Sequence, residues 1–254
     1  MKSLNILMLY PEIMNIYGDM GNLDFLSFYA EQSGINVNKV FYNLGDDFSV
    51  FMKDQNSKPD IILGGGGQDS SQCAVEEDLQ NIKVHLQELA TDNVPMLMIC
   101  GLYQLFGTRF VTSEKKIIKG IGLLDVETIA GDTRIIGNQI ITNPNPNIST
   151  KPIYGFENHS GKTHILDPAT KPLGNIKFAE GGNNGSDSEE GAMKNNVIGS
   201  YLHGPIIPKN PDIAEFLIQT AIQNKYNEKT EFNINADLLD TIKSAREIAE
   251  TLNR

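Results

Sequence analysis

Few features that mark secreted or membrane proteins are present in this sequence. It has only two cysteines in 254 residues, too few for a disulfide framework, and in a reducing compartment both would remain thiols. No window approaches the ~18 consecutive apolar residues that a membrane-spanning helix needs. The N-terminus runs directly into a strand-like stretch, residues 4 to 10, without a signal-peptide cleavage pattern. We therefore predict a cytoplasmic protein with no membrane insertion.

Positive charge and metal-binding motifs are also scarce. The 21 Lys and Arg residues stand against 32 Asp and Glu, which gives a formal net charge of −11. Such a field disfavours nucleic acid and anionic lipid as partners. The four histidines and two cysteines show no Cys-x-x-Cys or His-x-x-x-His spacing, so we predict no metal site.

Short apolar runs alternate with longer amphipathic stretches through the first hundred residues. This alternation predicts an α/β fold, a mainly parallel central sheet covered by helices. The length and the 40% hydrophobic content suffice for one sizeable core, so we predict a single domain over residues 1–254. The predicted strands are residues 4 to 10, 37 to 42, 59 to 63 and 95 to 99, and the predicted helices are residues 22 to 33 and 76 to 90.

The pattern changes after residue 116, where shorter strand-like pieces are separated by turn residues. We expect antiparallel strands there that continue the same sheet. Residues 180 to 196 are rich in Gly, Asn, Ser and Glu, which predicts a mobile surface loop. Residues 236 to 252 have the pattern of a C-terminal amphipathic helix. This helix could contact a partner or cover the sheet, and we favour covering.

Cys100 follows the fourth predicted strand and precedes a predicted helix. A strand-to-helix turn exposes a side chain at the carboxyl edge of a sheet and places free backbone N–H groups beside it. The N–H of Gly101 could then stabilise negative charge on an attacked carbonyl oxygen. Cysteine is also among the most buried residue types, so a small hydrophobic core residue is an equal alternative from position alone.

His203 follows a second apolar run, residues 197 to 202, and lies where a strand gives way to a loop. A single histidine there is more often structural than catalytic. A Cys and a His at separate strand ends of one sheet are nevertheless the arrangement of many cysteine nucleophiles, which are distant in sequence and adjacent in space.

Four segments resemble class I glutamine amidotransferases, and most closely their cobyric-acid-synthase-like branch. The segment at the cysteine has the Tyr-Gln pair that follows the nucleophile in this branch. The others point to a group in which a glutaminase subunit serves a separate synthetase. The segments are residues 98 to 104 (MICGLYQ), 17 to 22 (YGDMGN), 155 to 161 (GFENHSG) and 199 to 205 (GSYLHGP).

The resemblance implies a flavodoxin-like three-layer sandwich and catalytic roles for two residues. Cys100 would attack the side-chain amide of L-glutamine, and His203 would protonate the departing ammonia and then activate water. The backbone of Gly101 and of the glycine run at residues 64 to 67, in particular Gly66 and Gly67, would stabilise the oxyanion.

The resemblance also implies three substrate-binding residues and a partner. Gln104, Arg134 and Asn158 would hold the glutamine. The partner would be a MurT-like, Mur-ligase-like synthetase subunit in a heterodimer, and the reaction would amidate the D-glutamate of the peptidoglycan precursor lipid II to D-isoglutamine. ATP and Mg²⁺ would bind that partner, with no cofactor on this chain. The Gly-Lys-Thr at residues 161 to 163 lacks the glycine spacing of a phosphate loop.

The sequence departs from the family pattern at two places. Many class I enzymes have Gly-x-Cys-x-Gly at the nucleophile, whereas Met98 and Leu102 occupy the outer positions here, which predicts a less strained turn. Many also have an acidic residue two positions after the histidine, where this chain has Pro205. We therefore predict that the chain lacks its own orienting carboxylate and that the partner supplies an Asp or Glu.

Three alternatives remain open at this point. The acceptor could be another carboxylate, such as that of a corrinoid in a cobyrinate-type reaction. The chain could be a stand-alone cysteine hydrolase of the peptidase type, which would act without a partner. It could also be a non-catalytic binding module, in which case replacing Cys100 by Ala would change nothing.

Overall fold

The computed structural model of the chain describes residues 2–252 and contains 13 strands and six α-helices in that range. In chain order they are β1 (Ser3–Leu9), α1 (Met20–Gln32), β2 (Asn36–Tyr42), β3 (Ile61–Gly64), α2 (Asp69–Thr91), β4 (Met96–Ile99), α3 (Gly101–Phe106), β5 (Arg109–Val111), β6 (Ile117–Lys119), β7 (Val126–Pro144), β8 (Ile153–Ile165), β9 (Gly174–Ile176), β10 (Glu189–Glu190), β11 (Ala192–Lys194), β12 (Val197–Ser200), β13 (Leu202–His203), α4 (Ile206–Lys209), α5 (Pro211–Tyr226) and α6 (Ala236–Thr251).

The first sheet has the strand order β11-β12-β4-β3-β1-β2, and all its neighbours are parallel except β11 and β12. The step from β1 to β2 runs toward one edge, and the step from β3 to β4 runs toward the other. Right-handed crossovers therefore place α1 and α2 on opposite faces of the sheet. α1 packs on α4 and α5, and α2 packs on α3. The predicted α/β fold with a mainly parallel central sheet is confirmed.

The strands of this sheet form because their residues are apolar on both faces. Every residue of β3 and β4 is buried, as are six of the seven residues of β1. A strand covered by helices on both sides reads as a continuous hydrophobic run, which is why the sequence predicted these strands closely. α2 begins at Asp69, earlier than predicted, because its first turns are polar outside while Gln72 and Val75 continue the buried face.

A second sheet accounts for most of the chain between β5 and β13. Its order is β10-β9-β7-β5-β6, with β8 paired to both β7 and β13. The prediction that these antiparallel strands continue the first sheet is wrong for most of them, since only β11 and β12 join it. β7 and β8 are long and alternate between buried and exposed residues, so they pair with each other and bury one face.

The predicted mobile loop at residues 180 to 196 is also wrong. This segment contains β10 and β11, and Asn183, Asn184 and Glu190 within it are buried. The Asn183 side chain accepts from the Tyr103 hydroxyl at 3.0 Å and donates to the Gly191 carbonyl at 2.8 Å. Its polar residues are therefore paired internally, a state that composition cannot distinguish from solvation.

α6 spans most of the predicted C-terminal helix and packs through few side chains. Ile242 is its one buried residue in the described range. Arg246 donates to the Lys209 carbonyl at 2.7 Å, and the Tyr154 hydroxyl donates to Glu250 at 2.5 Å. Across residues 2–252, none of the helices is both long and apolar enough to cross a membrane.

Candidate active site

Cys100 occupies the turn between β4 and α3 in a strained backbone conformation. Its φ is 50° and its ψ is −102°, in a region that residues with a side chain rarely adopt. Its N–H donates to the Ser200 carbonyl of the neighbouring strand at 2.8 Å. Such a turn presents the thiol above the sheet edge. The residue is 7% exposed, and it lines a pocket.

The prediction of a less strained turn at Met98 and Leu102 is wrong, and the neighbouring strand explains why. Gly64 lies on β3 beside both side chains. A Cβ atom on Gly64 would lie 2.4 Å from Leu102 Cδ1 and 2.9 Å from Met98 Sδ. In the Gly-x-Cys-x-Gly pattern, the glycines on either side of the cysteine leave the space that the turn needs. Here Gly64 on the neighbouring strand leaves that space, and the side chains of Met98 and Leu102 occupy it.

His203 ends β13 and lies against Cys100. It is 1% exposed. A Cβ atom added to Gly66 would lie 3.1 Å from His203 Cε1 and 3.2 Å from Cys100 Cβ. The structure therefore brings the two predicted catalytic residues together around a glycine whose position would be crowded by a side chain.

A carboxylate of this chain lies next to His203, so the prediction that the chain lacks one is wrong. Asp19, on the loop between β1 and α1, is 1% exposed, and its Oδ1 atom is 3.8 Å from His203 Nδ1. Its Oδ2 atom accepts from the Gly66 N–H at 2.8 Å. Neither ring nitrogen of His203 has a hydrogen-bond partner among the described residues. Asp19 is thus close enough for electrostatics and slightly too far for a hydrogen bond.

The charge on His203 follows from these neighbours. Burial alone lowers the pKa of an imidazole, but Asp19 and the Cys100 sulfur favour the protonated ring more strongly. Together they raise the pKa of His203 to about 9. At neutral pH the ring is therefore an imidazolium, positioned to stabilise a thiolate on Cys100.

The three glycines predicted to stabilise an oxyanion differ in their availability. The Gly66 N–H is already donated to Asp19. The Gly67 nitrogen lies 2.9 Å from the point where a Cβ on Gly101 would be, so these two glycines face each other beside Cys100. The Gly101 N–H is at the first position of α3, where a helix provides no acceptor. Gly67 and Gly101 are the better-placed donors in this arrangement.

A pocket of about 420 Å³ opens above Cys100 and contains the predicted substrate-binding residues Gln104, Arg134 and Asn158. Arg134 Nε donates to Asn158 Oδ1 at 2.5 Å, and its Nη2 atom donates to the Tyr17 hydroxyl at 3.1 Å. The guanidinium is thus fixed at the pocket wall.

Gln104 lies deeper in this pocket, and its amide is oriented by neighbours. Its Oε1 atom accepts from Gln72 Nε2 at 2.7 Å, and its Nε2 atom donates to the Tyr201 hydroxyl at 3.0 Å. Because Gln72 Nε2 can only donate, the carbonyl end of the Gln104 amide must face it. The amide nitrogen of Gln104 carries a second N–H besides the one donated to Tyr201.

Sequence reasoning missed four residues of this site. Asp19 and Tyr17 belong to a segment quoted for the resemblance but given no role, and the Tyr17 ring lies 4.2 Å from the His203 ring. Asp69 and Gln72 line the pocket from the start of α2. Their positions in the sequence could have identified them. They follow β1 and β3, and the loops after these strands meet the Cys100 turn at one edge of the sheet.

His159 is a second buried histidine in the pocket. Its ring stacks on Tyr201 with centroids 3.6 Å apart, and its Nδ1 atom is 2.8 Å from the Gly161 carbonyl oxygen. Burial lowers its pKa, more than Glu157 raises it, so this ring is neutral at pH 7. Within residues 2–252, no cluster of three or more His, Cys, Asp or Glu side chains could hold a metal ion.

Sequence comparisons identify a family and individual proteins that are similar to this chain. A family described as the CobB/CobQ-like glutamine amidotransferase domain matches residues 5–211. A Streptococcus pneumoniae protein named lipid II isoglutaminyl synthase (glutamine-hydrolyzing) subunit GatD is 37% identical over 248 residues, which are 97% of this chain and 89% of that protein. A Staphylococcus aureus protein of the same name is 35% identical, covering 89% and 87% of the two chains.

More distant similarities cover less sequence or only the fold. A Listeria innocua cobyric acid synthase is 34% identical over 58% of this chain and 29% of its own length. A crystal structure of a glutamine amidotransferase superposes with a TM-score of 0.53 at 10% identity, covering 85% of this chain and 98% of that one.

Proposed function

Because this chain belongs to the CobB/CobQ-like glutamine amidotransferase family, we propose that Cys100 and His203 hydrolyse L-glutamine and that the ammonia passes to a synthetase subunit. The chain is a glutamine amidotransferase enzyme. The observation that supports Cys100 and His203 as its catalytic pair is their convergence around Gly66, with Cys100 lining the pocket.

The chemistry begins with a thiolate on Cys100, paired with the His203 imidazolium. The sulfur attacks the side-chain amide carbon of glutamine, and the N–H groups of Gly67 and Gly101 stabilise the resulting oxyanion. Collapse of this intermediate breaks the C–N bond, with His203 giving its proton to the departing ammonia. The now neutral His203 then takes a proton from water, which attacks the thioester, releases glutamate and restores the thiolate.

The pocket wall favours a free amino acid as substrate. Arg134, assisted by Asn158, would bind the α-carboxylate through charge-assisted hydrogen bonds. Asp69 lines the same pocket and offers the opposite charge for the α-ammonium group. The remaining N–H of Gln104 would contact the same polar end. A peptide-bound glutamine lacks both terminal charges, which argues against a peptidase activity.

For the acceptor, we propose lipid II, on the basis of the two relatives named lipid II isoglutaminyl synthase subunit GatD. A subunit of a synthase implies a partner. We propose a MurT-like synthetase as that partner in a cytoplasmic heterodimer; it would bind ATP and Mg²⁺ and amidate the D-glutamate carboxylate to D-isoglutamine. Within this chain, Asp19 supplies a carboxylate 3.8 Å from the His203 ring.

The direct test is glutamate release from L-glutamine by the purified chain, alone and with a MurT-like synthetase. Wild type and Cys73→Ala should release glutamate, whereas Cys100→Ala should not. Release by Cys100→Ala at the wild-type rate would reject the catalytic pair. Activity on glutaminyl peptides without a partner would favour a stand-alone cysteine hydrolase. Ammonia transfer to a corrinoid carboxylate, and none to lipid II, would favour the cobyrinate-type acceptor.

A further inference from the structure

The chain passes between the two sheets twice near the active site. β10 belongs to the second sheet, β11 and β12 to the first, and β13 to the second again. The first crossing is at Gly191 and the second at Tyr201. The second crossing carries His203 toward Cys100, because the strand before it pairs with β4 and the strand after it pairs with β8. The placement of His203 therefore depends on the backbone at Tyr201.

Glu190 lies next to the first crossing, and its side chain hydrogen-bonds the backbone at the second crossing. Its Oε1 atom accepts from the Tyr201 N–H at 2.6 Å and from the Ser200 hydroxyl at 3.2 Å. The Ser200 hydroxyl oxygen in turn accepts from the Leu202 N–H at 3.0 Å. Tyr201 lies between two strands of different sheets, so its N–H takes this side-chain acceptor in place of a sheet partner.

The Glu190 side chain is fully buried, with 0% exposure. Burial raises its pKa to about 8; the Tyr201 N–H partly opposes this and Glu157 adds to it. At neutral pH the acid is therefore mostly protonated, which avoids the cost of an unpaired buried charge. Its carbonyl oxygen then accepts both bonds, as the oxygen of a glutamine amide could.

We propose that Glu190 is a positioning residue for the glutaminase site: its Oε1 atom fixes the sheet crossing at Tyr201 and thereby the position of His203 beside Cys100. Glu190 itself contacts neither Cys100 nor the pocket. The activity measurements that test this role rest on the proposed function, whereas the reactivity of the Cys100 sulfur can be measured without it.

Three substitutions separate positioning from simple stabilisation. Glu190→Gln keeps an acceptor oxygen at the same distance from the backbone, where it can still bind the Tyr201 N–H. The kcat of this variant should therefore stay close to wild type. Glu190→Ala removes the acceptor and leaves the Tyr201 N–H unpaired. Glu190→Asp keeps a buried acid but withdraws the oxygen by one methylene, so the crossing must shift to reach it. A displacement of about 1 Å at a catalytic group can lower kcat roughly 100-fold.

The experiment measures kcat and KM for glutamine together with the rate at which iodoacetamide alkylates Cys100, in a Cys73→Ala background at a temperature where circular dichroism shows each variant folded. We expect Glu190→Asp, and Glu190→Ala where it folds, to lose about 100-fold in kcat with KM changed less than about threefold, because Arg134 and Asn158 lie on other strands. Alkylation should slow about tenfold as the imidazolium moves away from the sulfur. Glu190→Gln should restore both rates.

Wild-type kcat and alkylation in folded Glu190→Asp would overturn the proposal, as would a Glu190→Gln variant as slow as Glu190→Asp. Glu190→Asp retains a buried acid, so the test does not depend on Glu190→Ala folding. If the wild-type chain did not hydrolyse glutamine, the proposed function would fail, and the alkylation rates of the same variants would still decide the role of Glu190.

Discussion

Cys100 and His203 reach one point from two regions that are built differently. Cys100 lies at the end of an apolar strand in the parallel sheet, and its position depends on hydrophobic packing and a strained turn. His203 lies in the second sheet, and its position depends on buried polar groups. Asp19 lies 3.8 Å from its ring, and Glu190 and Ser200 accept hydrogen bonds from the backbone just before it. Packing against apolar residues tolerates small changes, whereas a buried polar network fails when one partner is lost. The two catalytic residues should therefore respond differently to substitutions nearby.

The largest effect on kcat should come from replacing Cys100. Comparing its replacement by Ala with its replacement by Gly should separate the loss of the nucleophile from the backbone strain of the turn. Cys100→Ala and Cys100→Gly should each lower kcat for glutamate release by about 10⁴-fold or more, because the nucleophile is gone. Glycine tolerates a φ of 50°, so Cys100→Gly should be about 1 kcal/mol more stable than Cys100→Ala. Urea denaturation measures the difference. Equal stability of the two variants would show that the turn stores no strain.

On the histidine side, Asp19→Asn should have the next largest effect. We expect kcat to fall about 100-fold, because the orienting and charge-stabilising carboxylate is lost. The pKa of His203 should fall below its value of about 9, which moves the alkaline limb of the pH–rate profile to lower pH. An unchanged profile would exclude Asp19 from this role.

The same variant also tests how the stability of the free chain depends on pH. The folded pKa of His203 lies above the usual 6.5, so its contribution to stability is full below pH about 6.5 and is lost as pH rises toward 9. Asp19→Asn should reduce this dependence in the free chain, because the Cys100 sulfur then remains as the neighbour that favours the protonated ring.

Asp19→Asn also distinguishes a carboxylate of this chain from one supplied by the partner. If adding the synthetase restored the kcat of Asp19→Asn fully, the partner would supply the main carboxylate that orients His203.

The two regions also differ in how far the sequence predicted them. The strands ending at Leu9, Gly64 and Ile99 were predicted because continuous apolar runs indicate buried parallel strands. Cys100 and His203 were predicted from their place after such runs. Asp19 was missed because its proximity to His203 arises only when β1, β4 and β12 share one sheet. Residues 180 to 196 were misjudged because buried hydrogen-bonded polar residues and solvated ones have the same composition.

The smallest of these effects should fall on substrate binding. Arg134→Ala should raise KM for glutamine about 30-fold with little change in kcat, since a charge-assisted hydrogen bond contributes roughly 2 kcal/mol. Arg109→Ala is the matched control, because Arg109 lies in the same sheet but pairs with Glu127 outside the pocket. Steady-state kinetics of both variants provide the measurement. A loss of kcat at unchanged KM in Arg134→Ala would instead place Arg134 with His203, through the Tyr17 hydroxyl that contacts its guanidinium, and the polar network of the second sheet would then control both binding and catalysis.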